Sequence, residues 1–452
     1  MASRFNPNRK YISRLSHLRV GFSWGGSLTR IIPENLFKDF YIPTPETPQL
    51  FTDAYWMLQA LEESSRGVGI TNPNPSVGCI IVAADGKTEL GRGCTQAHGG
   101  LHAETVAILE AKAKKGVSAL KNATLYVTLE PCAHHGHQPP CVEALINTPI
   151  RRIVIAAQDP NPLVNGKGIR KLRKSGKEVL VGIYQQEAIA SNYPFFVRAH
   201  HLKTNGTDLK RPVFGLKWAQ TLDGQLADDW DHSKWISSEP SRSYTHWLRQ
   251  KYDAVLVGAR TVITDLPKLD ARSCNLPHQH DPVPLIFDPK GLMLDCPKAA
   301  QKVLFRGLFR PNREVVIFTS SSLLGRAERS WTSKSKSVRW AALPSKAREL
   351  GPKQICVFFK DPNLSAALSK PLQSVLIEGG ARTLSTWLKA QCVDVAHVFI
   401  APVVTGGIKN RIYNPSPLSH APRFEIIHQT QLGRDVLIEM VPPHLAKSFF
   451  LK

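Results

Sequence analysis

Residues 129–141 read LEPCAHHGHQPPC, which sets Cys132 and Cys141 on either side of three histidines. Such a stretch admits a disulfide, a closed zinc knot or an open catalytic metal site, and the choice decides the fold of the first half. Upstream, HAE at 102–104 opens the Ala-rich helical stretch LHAETVAILEAKAKKG, closed by Gly116, and the PPC of the quoted stretch opens a second helix with prolines in its first turn. A helix start suits anionic ligands, because free N–H groups and the positive dipole end point there. One imidazole, His102, and two thiolates, Cys132 and Cys141, make three protein ligands. Three leave a fourth tetrahedral position for water, which is the arrangement of catalytic rather than structural zinc. Glu104 follows His102 too closely to need a ligand role, and can stand beside that water to carry its proton. Taken singly, HAE is nearly uninformative and PC…C is equally two buried thiols. Their conjunction at two predicted helix starts carries the zinc assignment. His134, His135 and His137 compete as ligands and are expected to face substrate or solvent instead.

Working outward, strands alternate with helices. DAYWMLQALEESSRG has helical spacing with Tyr55, Leu58 and Leu61 on one face; VGCIIVAADGKTELGRG is a strand, an Asp-Gly turn and a second strand. ATLYVTL, RRIVIAA and KEVLVGI add strands, with GIRKLRKSG a helix before the last. This predicts an α/β/α layered domain over 49–196. RAHHLKTNGTDLKRP (197–211) is polar and turn-rich, and is expected to be a linker. From 212 the alternation resumes through PVFGLKWAQ, SEPSRSYTHWLRQKY, DAVLVG, VPLIFD, EVVIFT, SVLIEGG, ARTLSTWLKAQ and VAHVFIAPVV, so a second α/β domain on a mostly parallel sheet is expected over 212–452. The serine-rich, basic region at about 322–354 reads as a mobile excursion on it.

The bulk composition bounds the partners. A chain of 452 residues exceeds one ordinary domain of roughly 100–200 residues, and no apolar run reaches the ~18 needed to span a bilayer. With 58 basic against 36 acidic residues the net charge is +22, the footprint of a nucleic-acid binder or of a site for an anionic phosphorylated metabolite. Eight cysteines without paired spacing do not make a disulfide framework. Cys79 and Cys356 sit in apolar, strand-like contexts, and a reducing compartment, hence a cytoplasmic location, is the expectation. Residues 1–48 carry five arginines and one lysine before the first acid, Glu34. They are expected to be a basic, disordered extension, with organelle targeting as the alternative.

The zinc pattern belongs to the chemistry of nucleobase deaminases, whose signature is H-x-E…P-C-x-x-C. Here eight residues rather than two separate the cysteines, which points away from the cytidine and tRNA-adenosine branches. TNPNPSVGCIIV, GGLHAE, TLEPCAHHGHQPPC and DPNPLVNGKGI, followed by LKWAQTLDGQLA, SKWISS, DAVLVGARTVITDLPKLDAR and VLIEGGARTLSTWL, resemble in order the bifunctional riboflavin-biosynthesis deaminase/reductase family over about 49–440. The resemblance implies a cytidine-deaminase-like zinc domain followed by a dihydrofolate-reductase-like domain. It implies deamination of a diaminopyrimidinone bearing a phosphoribosylamino group, then NADPH-dependent reduction of the ribosyl group to ribityl. By position, His102, Cys132 and Cys141 would bind Zn2+, Glu104 would shuttle the proton and Asn74 would hold the pyrimidine. Ala219, Trp235, Thr261, Asp265 and the loop from Gly380 would touch NADPH. Lys217, Ser233, Arg249, Leu269, Arg272 and Glu378 would line the substrate site, the arginines suiting a ribose phosphate through forked hydrogen bonds.

Departures from the family pattern gather in the second half. Leu266 stands where a second aspartate is usual, and Pro284 and Pro289 where an arginine and a small hydroxylic residue are; in the first half Leu101 replaces a proline. Two rival readings follow: an active deaminase with a degenerate or diverted reductase, and, from the charge, a nucleic-acid-binding or base-editing protein. The expected partner is a phosphorylated pyrimidine, with neither nucleic acid nor membrane, and the resemblance implies a homo-oligomer.

Overall fold

The computed structural model describes residues 49–134, 138–162, 164–230, 232, 236–272, 280–331, 337–343, 351–361, 368, 371–407, 409–412 and 417–449. The basic extension, His135, His137, Ser233 and Trp235 therefore lie outside the described residues. Two sheets organise the remainder.

The first half starts with α1 (Asp53–Ser64), capped by Thr52, whose hydroxyl accepts the Tyr55 N–H. Leu58 and Leu61 are buried from it, while Tyr55 is half-buried. β1 (Gly78–Val82) and β2 (Glu89–Cys94) form the expected hairpin, closed where the Asp85 carboxylate accepts the Lys87 and Thr88 N–H groups. Then come α2 (Ala103–Lys115), β3 (Thr124–Leu129), α3 (Cys141–Ile146), β4 (Arg152–Ala157), α4 (Lys167–Lys174) and β5 (Glu178–Val181). The sheet order is β2-β1-β3-β4-β5, with β1 antiparallel to both neighbours and β3, β4 and β5 parallel. Gly93 on β2 lets α2 lie directly on the strand. A Cβ there would stand 2.3 Å from the Ala103 carbonyl oxygen and 2.6 Å from the Ala107 nitrogen. That contact sets the height of the first turn of α2, the turn that carries Glu104.

The stretch 197–211, expected to be a linker, is helical for most of its length. α5 (Gln185–Ser191) is followed by α6 (Tyr193–Asn205), which buries Phe196, Val197 and Ala199 and ends at Gly206. The polar residues His200, His201, Lys203 and Thr204 hide this apolar face in the sequence. Burial of Phe196 and Val197 in the first core overrides them.

The second half runs β6 (Val213–Thr221), α7 (Glu239–Gln250), β7 (Ala254–Gly258), α8 (Ala259–Asp265), β8 (Val283–Phe287), α9 (Lys298–Arg306), β9 (Val315–Ser320), α10 (Ser321–Trp331), β10 (Val338–Leu343), α11 (Pro352–Lys360), β11 (Ser374–Ile377), α12 (Ala381–Lys389) and β12 (Val395–Ala401). It closes with the hairpin β13 (Glu425–Leu432) and β14 (Asp435–Val441), then α13 (Pro443–Phe449). The order is β10-β9-β8-β7-β11-β6-β12-β14-β13, parallel from β10 to β12 and antiparallel at the β14 and β13 edge. The supposed excursion at 322–354 is corrected in its described parts: α10 and β10 belong to the domain, and β10 pairs with β9 while burying Val338, Trp340 and Leu343. Cys356 is in a helix rather than a strand. Pro352 opens α11, and Ile355, Phe358 and Phe359 recur at helical spacing on its buried face.

The halves share surface. Leu445, Ala446 and Phe449 of α13 join the first core. Asn72 Nδ2 donates to Asp253 Oδ1 at 2.7 Å, and Lys251 Nζ to the Ala190 carbonyl at 2.9 Å. Among the described residues, no helix is long and apolar enough to cross a membrane.

Candidate functional site

His102 caps α2, Cys141 is the first residue of α3, and Cys132 follows the end of β3. His102 Nδ1 lies 3.2 Å from Cys141 Sγ and 3.6 Å from Cys132 Sγ. One donor atom from each of the three falls within 4.8 Å of the others, and no other group of this kind occurs among the described residues. The Cys141 N–H points to Cys132 Sγ at 3.3 Å, and the Val142 N–H to the Cys132 carbonyl at 3.2 Å, so the α3 start holds Cys132 in place. A hydrogen bond from the Cys141 thiol, and then one involving His102, stabilise Cys132 as the thiolate of the pair. One imidazole nitrogen and two sulfurs form a donor set suited to zinc, and three ligands match its catalytic coordination.

Glu104 is buried in the first turn of α2, its carboxylate against the Cys141 thiol. Burial, and then the adjacent Cys132 thiolate, push its carboxyl up to about 7. A carboxyl poised there both takes and returns a proton near neutrality. A cleft of about 270 Å³ opens onto the group, lined among others by Asn74, His102, Glu104, Cys132 and His134. His134 lines the cleft and keeps a buried Nδ1 with no hydrogen-bond partner. Asp159 and Asn161, which also line the cleft, carry no individual role in the sequence reading. Their only signal was the QDPNP turn after β4. Burial raises the Asp159 carboxyl to about 7.

The second constellation gathers at the carboxyl end of β11, between its sheet neighbours β7 and β6, an end of the kind where open α/β sheets place their ligands. Arg249 of α7 donates from Nε and Nη2 to the two Glu378 oxygens, each at 2.8 Å, and from Nη1 to the Asp270 carbonyl at 3.0 Å. Burial alone would raise Glu378, but Arg249 holds its carboxyl down at about 2. Lys217 on β6, with Nζ 5.2 Å from the Phe399 ring centre, is lowered by burial and raised by Glu378. Leu269 is buried beside them, whereas Arg272 is exposed and pairs with Asp270. The Arg249 fork is thus taken up by Glu378, and Arg272 is the arginine turned to solvent.

Thr261 is half-buried on α8 and Asp265 is exposed at its end. Ala219 is half-buried on β6. Gly380 caps α12 without any side-chain cap, and a Cβ there would meet nothing within 4 Å. Gly379 precedes it at φ +145°, a conformation that side-chain-bearing residues avoid. A helix start with room beside it and no side-chain cap suits a phosphorylated cofactor. Ser233 and Trp235 lie outside the described residues.

Residues 51–157 match the cytidine and deoxycytidylate deaminase zinc-binding region, and residues 212–438 match the RibD C-terminal domain. The chain is 38% identical over 359 residues to the riboflavin biosynthesis protein RibD of Aquifex aeolicus, covering 78% of this chain and 88% of that protein. It is 33% identical over 418 residues to the RibD protein of Actinobacillus pleuropneumoniae, covering 91% and 98%. Among solved structures, the diaminohydroxyphosphoribosylaminopyrimidine deaminase/5-amino-6-(5-phosphoribosylamino)uracil reductase of Thermotoga maritima superposes with a TM-score of 0.62 at 32% identity, covering 86% of this chain and 98% of that one.

Proposed function

Because the chain belongs to the RibD family of riboflavin-biosynthesis proteins, we propose that it works as a two-step enzyme on one phosphorylated pyrimidine. The first step is hydrolytic deamination of 2,5-diamino-6-(5-phosphoribosylamino)pyrimidin-4(3H)-one; the second is NADPH-dependent reduction of the ribosyl side chain to ribityl. The observation that carries this reading is the trio of His102, Cys132 and Cys141 with the buried Glu104 beside it. We assign the deamination to residues 49–196 and the reduction to 212–452, with the end of α6 and the turn after it joining them.

In the first step His102, Cys132 and Cys141 would hold zinc, which when bound lowers the pKa of water to about 7 and so supplies a nucleophile at neutral pH. Glu104 takes one proton of the attacking water and gives it to the ring nitrogen, then takes the proton of the new hydroxyl and gives it to the departing amine, so that the C–N bond breaks, ammonia leaves and the amino-bearing carbon becomes a carbonyl. Asn74 and His134 line the cleft and orient the pyrimidine. In the second step NADPH supplies the hydride. Lys217 donates to the sugar oxygen that gains a proton, ionised Glu378 fixes Arg249, and Arg272 meets the phosphate. Ala219, Thr261, Asp265 and Gly380, with Ser233 and Trp235, complete the cofactor and substrate contacts. The protein acts without nucleic acid or membrane, as a homo-oligomer in the cytoplasm.

Incubation of the full chain with the diaminopyrimidine tests this. Ammonia release followed by stoichiometric NADPH oxidation is expected. Ammonia release without NADPH oxidation would leave a deaminase alone, and neither would remove the proposal.

A further inference from the structure

The loop from Leu266 to Arg272 joins α8 to the residues read as substrate contacts, and its backbone is unusual. Leu266 and Leu269 both adopt left-handed conformations, at φ 47° and 49°, although neither is glycine. Side chains disfavour that region, so such a loop keeps its shape only where its surroundings hold it. Here successive backbone groups are each held by a side chain from elsewhere. Arg313, in the turn before β9, donates from Nη1 to the Lys268 carbonyl and from Nη2 to the Leu269 carbonyl, and also from Nη2 to the Pro282 carbonyl at 3.2 Å. The next carbonyl, Asp270, accepts from Arg249 Nη1 and from His246 Nδ1, both at 3.0 Å. The next amide, Ala271, donates to Asp281 Oδ1 at 2.9 Å.

Arg313, like His246 and Asp281, has no functional assignment, and it is the residue that holds two successive carbonyls of the loop. Its side chain is buried, its Nε lacks any partner, and its Nη atoms donate to carbonyls, with the Asp281 and Asp270 carboxylates near enough to favour its charge. Burying a guanidinium on neutral carbonyls is costly. The cost is intelligible if the bonds hold a shape the loop does not adopt alone. Neither a core position nor a solvent-facing one calls for such an arrangement.

We propose that Arg313 is a positioning residue for the reductase: it clamps the Lys268 and Leu269 carbonyls, fixes Leu269 in the wall of the site and so presents Arg272 to the sugar phosphate of the substrate. This rests on the reductase assignment above. The clamp acts on the pyrimidine-sugar side of the site. Of the proposed cofactor contacts, Gly380 and Ala219 belong to other elements, and Thr261 and Asp265 lie on α8 ahead of the clamped carbonyls, where the helix itself holds them.

The test is steady-state kinetics of the full chain with wild type, Arg313→Gln and Arg313→Lys, using the deaminated pyrimidine and NADPH as varied substrates and ammonia release as an internal control of folding. Arg313→Gln retains one short amide in place of the fork. It is expected to raise the reductase KM for the pyrimidine at least tenfold, to leave the NADPH KM within about twofold, and to leave ammonia release unchanged. Arg313→Lys keeps the charge but not the fork and should fall between. If both KM values stay at the wild-type level, rise together, or stay constant while kcat drops through loss of active protein, the clamp is structural only and the proposal is overturned. Failure of both variants to fold has the same consequence. Absence of NADPH oxidation by the wild type would instead overturn the reductase assignment itself, so the two failures are distinct.

Discussion

Glu104 and Glu378 are both buried carboxyls at the centre of a candidate site, yet the protein drives them in opposite directions. Burial and a neighbouring thiolate push Glu104 up to about 7, whereas the Arg249 fork holds Glu378 at about 2 despite its burial. The first environment suits a proton carrier. The second makes a fixed anion that spends its oxygens on an arginine. Burial therefore does not predict the role of a carboxyl; the charge placed beside it does.

Conservative amides should separate the two. Glu104→Gln is expected to lower ammonia release by about 10²–10⁴-fold, the usual range for a lost general acid–base, while zinc content by metal analysis and NADPH oxidation with deaminated substrate persist. Persistent deamination would remove the proton-carrier role. Glu378→Gln removes one partner of a buried ion pair and should destabilise the reductase half by about 3–5 kcal/mol in chemical denaturation, with ammonia release retained by the folded fraction. If Glu378→Gln leaves stability unchanged, the contrast fails.

The contrast has a pH signature. The Glu378 carboxyl is lower in the folded state than in the unfolded chain, so its stabilising contribution is fully present above the ordinary carboxylate range and is lost as pH falls towards 2. The gap corresponds to on the order of 3 kcal/mol. Denaturation of wild type and Glu378→Gln should give a constant difference from pH 8 to 5 and a shrinking one at pH 3. A difference that grows on acidification would contradict the assigned ion pair.

These two sites were not equally legible in the sequence. The zinc trio could be read because each ligand begins a helix or ends a strand, and metal chemistry restricts the residue types. His102, Cys132 and Cys141 accordingly fall within 4.8 Å. The reductase residues span Lys217 to Gly380 and are common types, so only family resemblance pointed to them. No local pattern says that Arg249 will spend its fork on Glu378, 129 positions away. The elements that escaped were those whose surface is polar: α6, whose buried Phe196 and Val197 precede a histidine-lysine run, and α10 with β10, masked by serine and arginine. The zinc site also depends on something a motif cannot show. Gly93 is invisible as a functional residue, yet Gly93→Ala should cost about 1–3 kcal/mol as overpacking and displace the first turn of α2. A drop in zinc content and ammonia release with the reductase unchanged is the expected outcome.

The smallest effect concerns the departure from the family pattern at Leu266. As the residue after α8 it is left-handed, with φ 47° and ψ 49°, and half-buried against the second core. Leu266→Asp introduces a short polar residue that tolerates this conformation better, relieving roughly 1–2 kcal/mol of backbone cost. It also gives up part of the roughly 1.5–3 kcal/mol that a fully buried leucine contributes. The two terms oppose, so the melting midpoint should shift by only a few degrees, about 1 kcal/mol or less. Because the backbone already holds the shape the loop needs, reductase kcat/KM should stay within about threefold of wild type. A rise beyond tenfold would mean that Leu266 has cost the second site its activity, and that the two halves differ in competence and not only in the way each controls its carboxylate.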